Sequence, residues 1–430
     1  FFFQAEDGIR DAQESLGSEM CIRDSYMAGN NFLASIDIGS EKIALLAADI
    51  EDTGHLRIIA HNFCSSDGVK KGSLSSIDSL ARVITRLIEQ TQKDFGYKVE
   101  LARINISDTH LTCSDGKGKV SINDTVTLKD LDSVLESAMA KSTPTNKEKL
   151  HIIKKKFTIN ENIVVDNPIE MEAEVLESTV HIVTVSSSSI RNIERCLEQS
   201  DLEAQKIVLN SIAKSHAVLS QEDKDSGVCL VDIGAGVTSY SVFSEEGIVR
   251  SGVIAQGGDE ITQEIADAFD TSLEEAKRLK ENYGFAKSST LKEDKFIYFI
   301  QDEEEHQLSS LELSEVIEGA YREIFTLLNN ELKYHNLDGV IKSGFVLCGG
   351  GAQINSIVEL VRDFFSKRVK IGQIQRSKVS GLETILTDYK YTGAIGLLMH
   401  EEDLSNNELT LAKTDQSVID KLKKVIVGKF

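Results

Sequence analysis

The sequence is poor in the features that mark linker-rich, disulfide-bonded and membrane-spanning proteins. Only 2 of its 430 residues are proline, so no proline-rich linker divides it. Its six cysteines stand singly, without a C-x-x-C pair or a histidine at ligand spacing. This pattern argues against a zinc site or a disulfide framework and is typical of reduced cytoplasmic thiols. No run of about 18 apolar residues is present, so we expect any membrane contact to be peripheral.

Basic residues are also few compared with acidic ones. The chain has 47 Lys and Arg against 69 Asp and Glu, a net charge of -22 and a pI near 4.9. Such a surface repels nucleic-acid phosphates, so we expect no nucleic-acid partner. The length and the 41% hydrophobic content predict a globular protein of two or more domains.

The first 25 residues, FFFQAEDGIRDAQESLGSEMCIRDS, do not resemble the rest. They lack apolar periodicity and the pattern of a signal peptide. They are similar to translated sequencing-adapter read-through, so we interpret residues 1–25 as non-native and expect the native start at Met27. The alternative is a disordered native arm.

Two hairpin-like segments share an acidic turn with glycine. Phe32–Ile50 reads as strand, turn, strand around Asp37-Ile38-Gly39-Ser40, and Val228–Val242 repeats this around Asp232-Ile233-Gly234-Ala235-Gly236. Glycines let backbone N–H groups approach phosphate oxygens, and an Asp can hold Mg²⁺ directly or through water. Lys42 can reach a phosphate, while Ser40 and Thr238 add hydroxyls. Either turn alone is more often a plain hairpin turn.

A third glycine turn makes the nucleotide interpretation much stronger. Gly349-Gly350-Gly351 follows the apolar strand pattern of GFVLC and precedes a helix pattern, which leaves room for a base or a ribose against bare backbone. The two acidic turns lie 195 positions apart, 232 minus 37, close to half of a core near 400 residues. This separation predicts an internal duplication.

Apolar periodicity places the other elements. The predicted helices are 77–92, 128–141, 188–200 with its N-cap at Ser188 or Ser189, 260–269, 273–283, 312–336 and 354–367; a strand is predicted at 179–186.

In these motifs the chain resembles the actin-like ATPase superfamily and, within it, the family of the bacterial cell-division protein FtsA. The segments that carry the resemblance are SIDIGSEKIALL, GVCLVDIGAGVTSYSV, GFVLCGGGAQI, DGVKKGSLSSIDSL, IAQGGDEITQEIADAF and EEAKRLKENYG. It implies a duplicated, ribonuclease H-like α/β fold of two lobes that binds ATP and Mg²⁺. It also adds Gly257, Gly258 and Lys280 to the nucleotide site, and Asp37 and Asp232 as the residues that hold its magnesium, through water.

The resemblance also implies a domain plan. The predicted parts are the first lobe at 27–110 and 179–225, an inserted FtsA-type subdomain at 111–178, a second lobe at 226–400 with a small subdomain at about 259–330, and a linker at 401–416. The insert would contact other filament subunits and division proteins. The small subdomain would receive the C-terminal peptide of the tubulin-like ring protein FtsZ.

Three departures from the family pattern stand out. The second loop reads GAGVTSY where GGGTTD is common, so Ala235, Val237 and Ser239 depart from the pattern that positions the metal or a water there. Lys277 stands where many relatives have the acid of A-E-x-x-K, so only Lys280 carries over. The segment Asn167–Ala173 lacks the glycines of N-P-x-G-L-x-G.

The last segment, Ser417–Phe430, predicts an amphipathic basic helix. Its apolar face comprises Val418, Ile419, Leu422, Val425, Ile426 and Phe430, with four lysines around it. Such helices lie in the lipid interface, where each lysine contributes on the order of 1 kcal/mol at an anionic leaflet. The alternative is a helix packed on its own domain.

The sequence thus predicts an FtsA-like adaptor that binds ATP, polymerises, and fastens FtsZ filaments to the cytoplasmic face of the membrane at the division septum. The rate of hydrolysis stays open, with Asp232 the candidate for orienting a water. One rival is a small-molecule kinase of the same fold, which needs a catalytic Asp that we do not find. A chaperone-type ATPase needs a substrate domain, and only about 30 residues follow Met399. A PilM-like pilus-assembly protein would not need the basic tail.

Overall fold

The computed structural model describes residues 32–140, 143–301, 304–400 and 408–409. The predicted non-native segment at 1–25 and the predicted membrane helix at 417–430 lie outside the described residues. Within the described ranges, no helix combines the length and the hydropathy that crossing a membrane requires.

The strands are β1 (Phe32–Ile38), β2 (Lys42–Ile50), β3 (Leu56–Ser65), β4 (Val69–Lys70), β5 (Ser73–Leu74), β6 (Leu101–Ile106), β7 (Thr112–Ser121), β8 (Lys147–Ile159), β9 (Ile163–Val165), β10 (Val175–Ser186), β11 (Glu203–Leu209), β12 (Val228–Ile233), β13 (Thr238–Ser244), β14 (Gly247–Ile254), β15 (Phe296–Gln301), β16 (Glu304–Ser309), β17 (Gly344–Cys348), β18 (Val369–Ile371), β19 (Val379–Ser380) and β20 (Glu408–Leu409).

The helices are α1 (Ile77–Phe95), α2 (Leu128–Met139), α3 (Ser187–Glu198), α4 (Asn210–Val218), α5 (Gln221–Asp225), α6 (Gly258–Ala268), α7 (Leu273–Tyr283), α8 (Ser310–Tyr334), α9 (Ile357–Phe365), α10 (Glu383–Thr387) and α11 (Thr392–Met399). Single 3-10 turns lie at Ser288–Thr290, Gly350–Gln353 and Tyr389–Tyr391.

Two sheets repeat one topology, which confirms the predicted duplicated α/β fold. The first runs β3-β2-β1-β6-β11, with the short β19 added beside β3, and the second runs β14-β13-β12-β17-β18. Strands β3, β2 and β1 pair antiparallel, as do β14, β13 and β12. Strands β6 and β11 then run parallel to β1, and β17 and β18 run parallel to β12. The centre of each sheet is apolar because it is covered on both faces. Asp37 and Asp232 therefore occupy equivalent positions, near the end of β1 and of β12.

A third sheet has the order β20-β8-β10-β7, with the short β9 paired to β8. Along the chain, β7 to β10 lie between β6 and β11 of the first sheet. Helix α2 begins with a capping box formed by Thr127 and Asp130. It packs on β7 and β10. A Cβ at Gly116 or Gly118 would lie 2.0 Å from the carbonyl oxygen of Ala138 or Val134, so the helix approaches this strand as closely as only glycine permits. Strand β10 pairs in this sheet along its whole length, across the predicted boundary at residue 178.

The chain crosses between the lobes near its end, which the predicted division at 226–400 did not foresee. Strand β19 pairs with β3 of the first sheet, and α11 packs on β1. Conversely, α4 leaves the first sheet and packs on β12 and β13 of the second, as well as on α11. One core of buried residues therefore joins the lobes beneath the cleft.

Several predicted boundaries differ from the structure. The N-cap of α3 is Ser186, not Ser188 or Ser189, because β10 runs directly into the helix. Helix α9 is shorter than the predicted 354–367, because Ser356 and Ser366 adopt left-handed backbone angles that bound it. Inside the predicted linker, β20 pairs with β8.

Candidate functional site

A cleft between the two repeated sheets forms a cavity of about 560 Å³. This volume lies within the range of small-molecule sites. Most of the residues that the sequence predicted for the nucleotide line it: Asp37, Gly39, Ser40, Lys42, Asp232, Gly234, Ala235, Gly236, Gly258, Lys280, Gly349, Gly350 and Gly351. The fold thus brings together loops that lie more than 300 residues apart in the chain.

The two acidic loops have the same backbone geometry. The N–H of Gly39 donates to the carbonyl of Lys42 at 2.9 Å, and the N–H of Gly234 donates to that of Val237 at 2.9 Å. Each turn thus projects its middle residues into the cleft from the end of a central strand. Backbone N–H groups in such turns form concave sites for anions.

Gly349 closes the site from the third loop. Its φ is 88°, and a Cβ there would lie 2.4 Å from both Oδ1 of Asp232 and the carbonyl oxygen of Ile233. Only glycine fits this contact. Two residues further on, the carbonyl of Gly351 accepts a hydrogen bond of 2.6 Å from the hydroxyl of buried Tyr321. The loop is therefore fixed against the second acidic loop on one side and helix α8 on the other.

Two predicted residues do not line the cavity. Thr238 is fully buried within β13, so its hydroxyl does not reach the cleft. Gly257 lies beneath the second acidic loop, where a Cβ would be 2.5 Å from the carbonyl oxygen of Ala235. Gly257 thus supports the loop by close packing.

The two acidic loops are joined by a string of hydrogen bonds across the floor of the cleft. Asn105, on β6, donates to Oδ1 of Asp37 at 2.6 Å and to Oδ1 of Asn210 at 3.2 Å. Asn210, the first residue of α4, donates to Oδ2 of Asp232 at 2.8 Å. All four side chains are buried, so each carboxylate needs these donors. The string couples the equivalent aspartates of the two lobes.

Lys214 brings a buried positive charge to this floor. It lies one turn after Asn210 on α4, and its Nζ is 2.8 Å from Oδ1 of Asp232. Its side chain is 11% exposed and that of Asp232 is 3% exposed. Burial acts to lower the pKa of Lys214, but the carboxylates of Asp232 and Asp37 outweigh it and hold the pKa above its usual range. The amine is therefore a charged ammonium.

The predicted magnesium ion does not fit at Asp232. Oδ1 of Asp232 accepts hydrogen bonds from Lys214 and from the thiol of Cys348, and Oδ2 accepts one from Asn210. A divalent ion on this carboxylate would sit near the ammonium, and like charges about 4 Å apart repel by about 4 kcal/mol per unit-charge pair in a protein. No cluster of three or more His, Cys, Asp or Glu suited to a metal occurs in the part of the chain that the structure describes. The same contacts give no support for Asp232 orienting a water.

Lys42 points into the cleft from the first lobe. Its Nζ donates to the carbonyl of Lys390 and lies 5.8 Å from the ring centre of Tyr389. Burial lowers the pKa of Lys42 to about 8, although the nearby charges of Asp37 and Asp232 act in the opposite direction. Lys42 is thus a cation whose charge is lost just above neutral pH.

The opposite wall carries Lys280 and Asp259. The Nζ of Lys280 donates to the carbonyl of Gly258 at 2.7 Å and to the hydroxyl of Thr262 at 2.6 Å. Burial lowers the pKa of Lys280 and raises that of Asp259. Lys280 therefore fixes the start of α6 against α7 at the edge of the cavity.

Two ion pairs cross the mouth of the cleft. Lys277 on α7 pairs with Glu41 of the first acidic loop, and Lys71 pairs with Glu260 on α6 at 2.5 Å. Lys277, which departs from the family pattern, thus serves as a contact between lobes. Glu281, one turn further along α7, lines the cavity and supplies an acid on this wall.

The cavity wall is close to electrically neutral, unlike the chain as a whole. Five acidic side chains line it, and five lysines balance them: Asp37, Glu41, Asp232, Asp259 and Glu281 against Lys42, Lys214, Lys277, Lys280 and Lys390. In a chain of net charge -22, this balance makes the cleft a place where phosphates are not repelled.

The sequence analysis missed Asn105, Asn210 and Lys214. Asn105 and Asn210 lie at the carboxyl ends of two neighbouring parallel strands, β6 and β11, where ligand sites in α/β sheets form. Lys214 is the one lysine in the helix segment SIAKSHAV, whose other residues except His216 are apolar or small, so it is an unusual place for a charge. These positions in the sequence could have identified the three residues as parts of a ligand site.

Comparisons with known proteins agree with this fold. Residues 229–396 match the family model of cell division protein FtsA, and residues 108–184 match that of the SHS2 domain inserted in FtsA. Cell division protein FtsA of Pseudomonas aeruginosa is 30% identical over 410 residues, covering 93% of this chain and 98% of that protein.

Solved structures share the actin-like fold. The PilM–PilN type IV pilus biogenesis complex gives a TM-score of 0.61 at 15% identity, covering 85% of this chain and 97% of that one. MreB5 of Spiroplasma citri bound to ADP gives 0.54 at 14% identity, with 87% and 97% covered. At such identities these likenesses concern the fold alone. The sequence relationship and the inserted-domain match together show that the chain belongs to the FtsA family of cell-division proteins.

Proposed function

We propose that this FtsA-family chain binds ATP in the cleft, assembles into actin-like filaments, and fastens FtsZ filaments to the cytoplasmic face of the membrane at the division septum. The observation that carries the proposal is the convergence of the two equivalent acidic loops and the Gly349–Gly351 turn on one cavity. Membership of the FtsA family decides against the kinase and the PilM-like alternatives.

The phosphates are proposed to lie against the N–H groups of residues 40–41 and 235–237, because those of Gly39 and Gly234 donate within their own turns. Lys42 is proposed as their counter-charge. Both loops project from adjacent ends of their sheets, and the electrically balanced wall leaves room for an anion. The base and ribose are proposed to lie between the Gly349–Gly351 turn and α7. MreB5, a neighbour in fold, was solved with ADP bound, which supports a nucleotide as the ligand class.

Of the predicted magnesium ligands, Asp37 remains in the proposal and Asp232 does not. Asp37 accepts a hydrogen bond from the neutral amide of Asn105, whereas Asp232 is paired with an ammonium. Magnesium commonly takes one or two carboxylates and completes its shell with water and phosphate oxygens. Asp37 as a single protein carboxylate is compatible with this coordination.

The filament and its attachment are proposed from the family and from the sequence of residues 417–430. One basic tail binds a membrane weakly, but tails that share a filament bind together, and such avidity can exceed single-site affinity by about 10²–10⁴. FtsZ is proposed to bind the small subdomain at about 259–330, and other division proteins the inserted subdomain. We expect ATP turnover to be slow, because no side chain in the described site is placed as an evident general base.

Co-sedimentation with anionic vesicles tests the proposal. The chain from Met27 is compared with the same chain ending at Gln416, each with ATP and with purified FtsZ. We expect only the longer chain to pellet, and to carry FtsZ with it. Equal behaviour of the two chains would contradict the tether, and pelleting without FtsZ would contradict the adaptor role.

A further inference from the structure

The buried ammonium of Lys214 is the least expected group in the cleft. The helix that carries it is otherwise built to pack, since Ile212, Ala213 and Val218 are buried. A lysine in such a helix is costly unless a carboxylate and hydrogen bonds compensate its charge. Asp232, at 2.8 Å, provides that compensation, and the charge of Asp37 adds to it.

The position of Lys214 matters more than its burial. It lies on the carboxylate at the end of β12, in the wall of the same cavity as Gly234 and Gly349. A divalent ion in a triphosphate site adds positive charge between a protein carboxylate and the phosphate oxygens. An ammonium is a compact point charge with three donors, so it can serve a carboxylate and a phosphate at once.

We propose that Lys214 takes the place of a divalent cation at Asp232, so that the affinity of this chain for a nucleoside triphosphate does not depend on magnesium, even where Asp37 holds such an ion. The proposal rests on the proposed nucleotide binding and adds its cation requirement. Lys214 and Asp232 form a permanent ion pair, and the spare donors of the ammonium face the phosphates. The simpler alternative is that the pair only holds α4 to β12.

Binding of a fluorescent ATP analogue to the full chain, in excess EDTA and in magnesium, distinguishes the two. We expect the two dissociation constants of the wild-type chain to agree within about threefold. In Lys214→Ser, the carboxylate of Asp232 is released, so we expect binding in EDTA to be at least about tenfold weaker than binding in magnesium.

Lys155→Ser is the matched control. Its Nζ lies 3.0 Å from Asp115, and its side chain is also 11% exposed. The pair joins β8 and β7 of the inserted sheet, and neither residue lines the cavity. We expect this variant to bind like the wild type under both conditions. Lys214→Arg, which keeps the charge, should bind in EDTA more tightly than Lys214→Ser.

The wild-type comparison decides the matter even where Lys214→Ser fails to fold. Wild-type binding that is tenfold or more weaker in EDTA overturns the proposal and leaves nucleotide binding standing. Binding in neither condition overturns the proposed nucleotide site itself. Equal EDTA binding by the wild type and a folded Lys214→Ser chain shows that the pair is only structural.

Discussion

Asn105 and Asn210 meet in a hydrogen bond of 3.2 Å at the floor of the cleft, and through it Asp37 of one acidic loop is linked to Asp232 of the other. The two asparagines belong to different elements, β6 and α4, so the contact exists only in the folded chain. It holds the two equivalent acidic loops in a fixed position relative to each other at the floor of the cleft.

Asn105→Ala tests the structural weight of this link. The change leaves the buried carboxylate of Asp37 without its 2.6 Å donor and the N–H of Ile38 without its acceptor. An unsatisfied buried polar group costs about 1–3 kcal/mol, so we expect a loss of at least that size in the free energy of unfolding, measured by urea denaturation. Asn162→Ala, at an exposed position, should stay within about 0.5 kcal/mol of the wild type. Equal stability of the two variants would contradict the link.

Gly349→Ala tests the contact between the third loop and Asp232. The added methyl group would lie 2.4 Å from the carboxylate, at a backbone angle that alanine rarely adopts, so we expect lower stability and at least about tenfold weaker ATP binding. Gly319→Ala is the control, because Gly319 lies within α8 and a Cβ there meets nothing within 4 Å. Alanine should leave binding unchanged and stabilise the helix by up to about 1 kcal/mol. Calorimetric titration and thermal unfolding measure both effects.

The pKa of Lys42 predicts a pH dependence of nucleotide binding. With a pKa of about 8, Lys42 is charged below this pH and neutral above it. We therefore expect ATP to bind more weakly as the pH rises through 8 and beyond, and a charged hydrogen bond worth about 1.5–3 kcal/mol corresponds to about tenfold or more. Dissociation constants at pH 7, 8 and 9.5 measure this. Lys42→Met should bind weakly with a much flatter profile, and a steep profile in that variant would assign the effect to another group.

The ion pair between Lys277 and Glu41 joins the two lobes at the mouth of the cleft, so we expect it to slow the release of a bound nucleotide. Lys277→Glu places two like charges opposite each other across the lobes, so we expect faster release of a bound fluorescent nucleotide, most clearly at low salt. The swap that combines Lys277→Glu with Glu41→Lys should restore slow release. Lys98→Glu, which breaks an exposed pair with Glu100 inside one lobe, is the control. Because exposed pairs contribute only about 0–1 kcal/mol, overall stability should hardly change.

The sequence predicts the hairpins around Asp37 and Asp232 well because their signal is local. An apolar strand, a turn with glycine and a second strand are written in consecutive residues, and their repetition predicts the duplication. The glycine turn at 349–351 is predictable for the same reason. Thr238 shows the limit of this reasoning, because a hydroxyl two residues from a loop glycine turns into the core once β13 forms.

The floor of the cleft depends on tertiary contacts that local sequence patterns do not predict. Asn105, Asn210 and Asp232 are far apart in the chain, and only the parallel pairing of β6 with β11 and the crossing of α4 to the second sheet bring them together. The crossing of α11 and β19 to the first lobe was missed for the same reason. Sequence patterns predict individual helices and strands, but the lobe to which each one belongs depends on how it packs in the folded chain.

The most direct test of the central claim is hydrogen–deuterium exchange of the full chain with and without saturating ATP. The account predicts slower exchange at the backbone amides of residues 38–42, 233–238 and 349–354, because these three loops surround the cavity from both lobes. Protection confined to one lobe, or ATP binding that leaves all three loops unchanged, would contradict the proposed site.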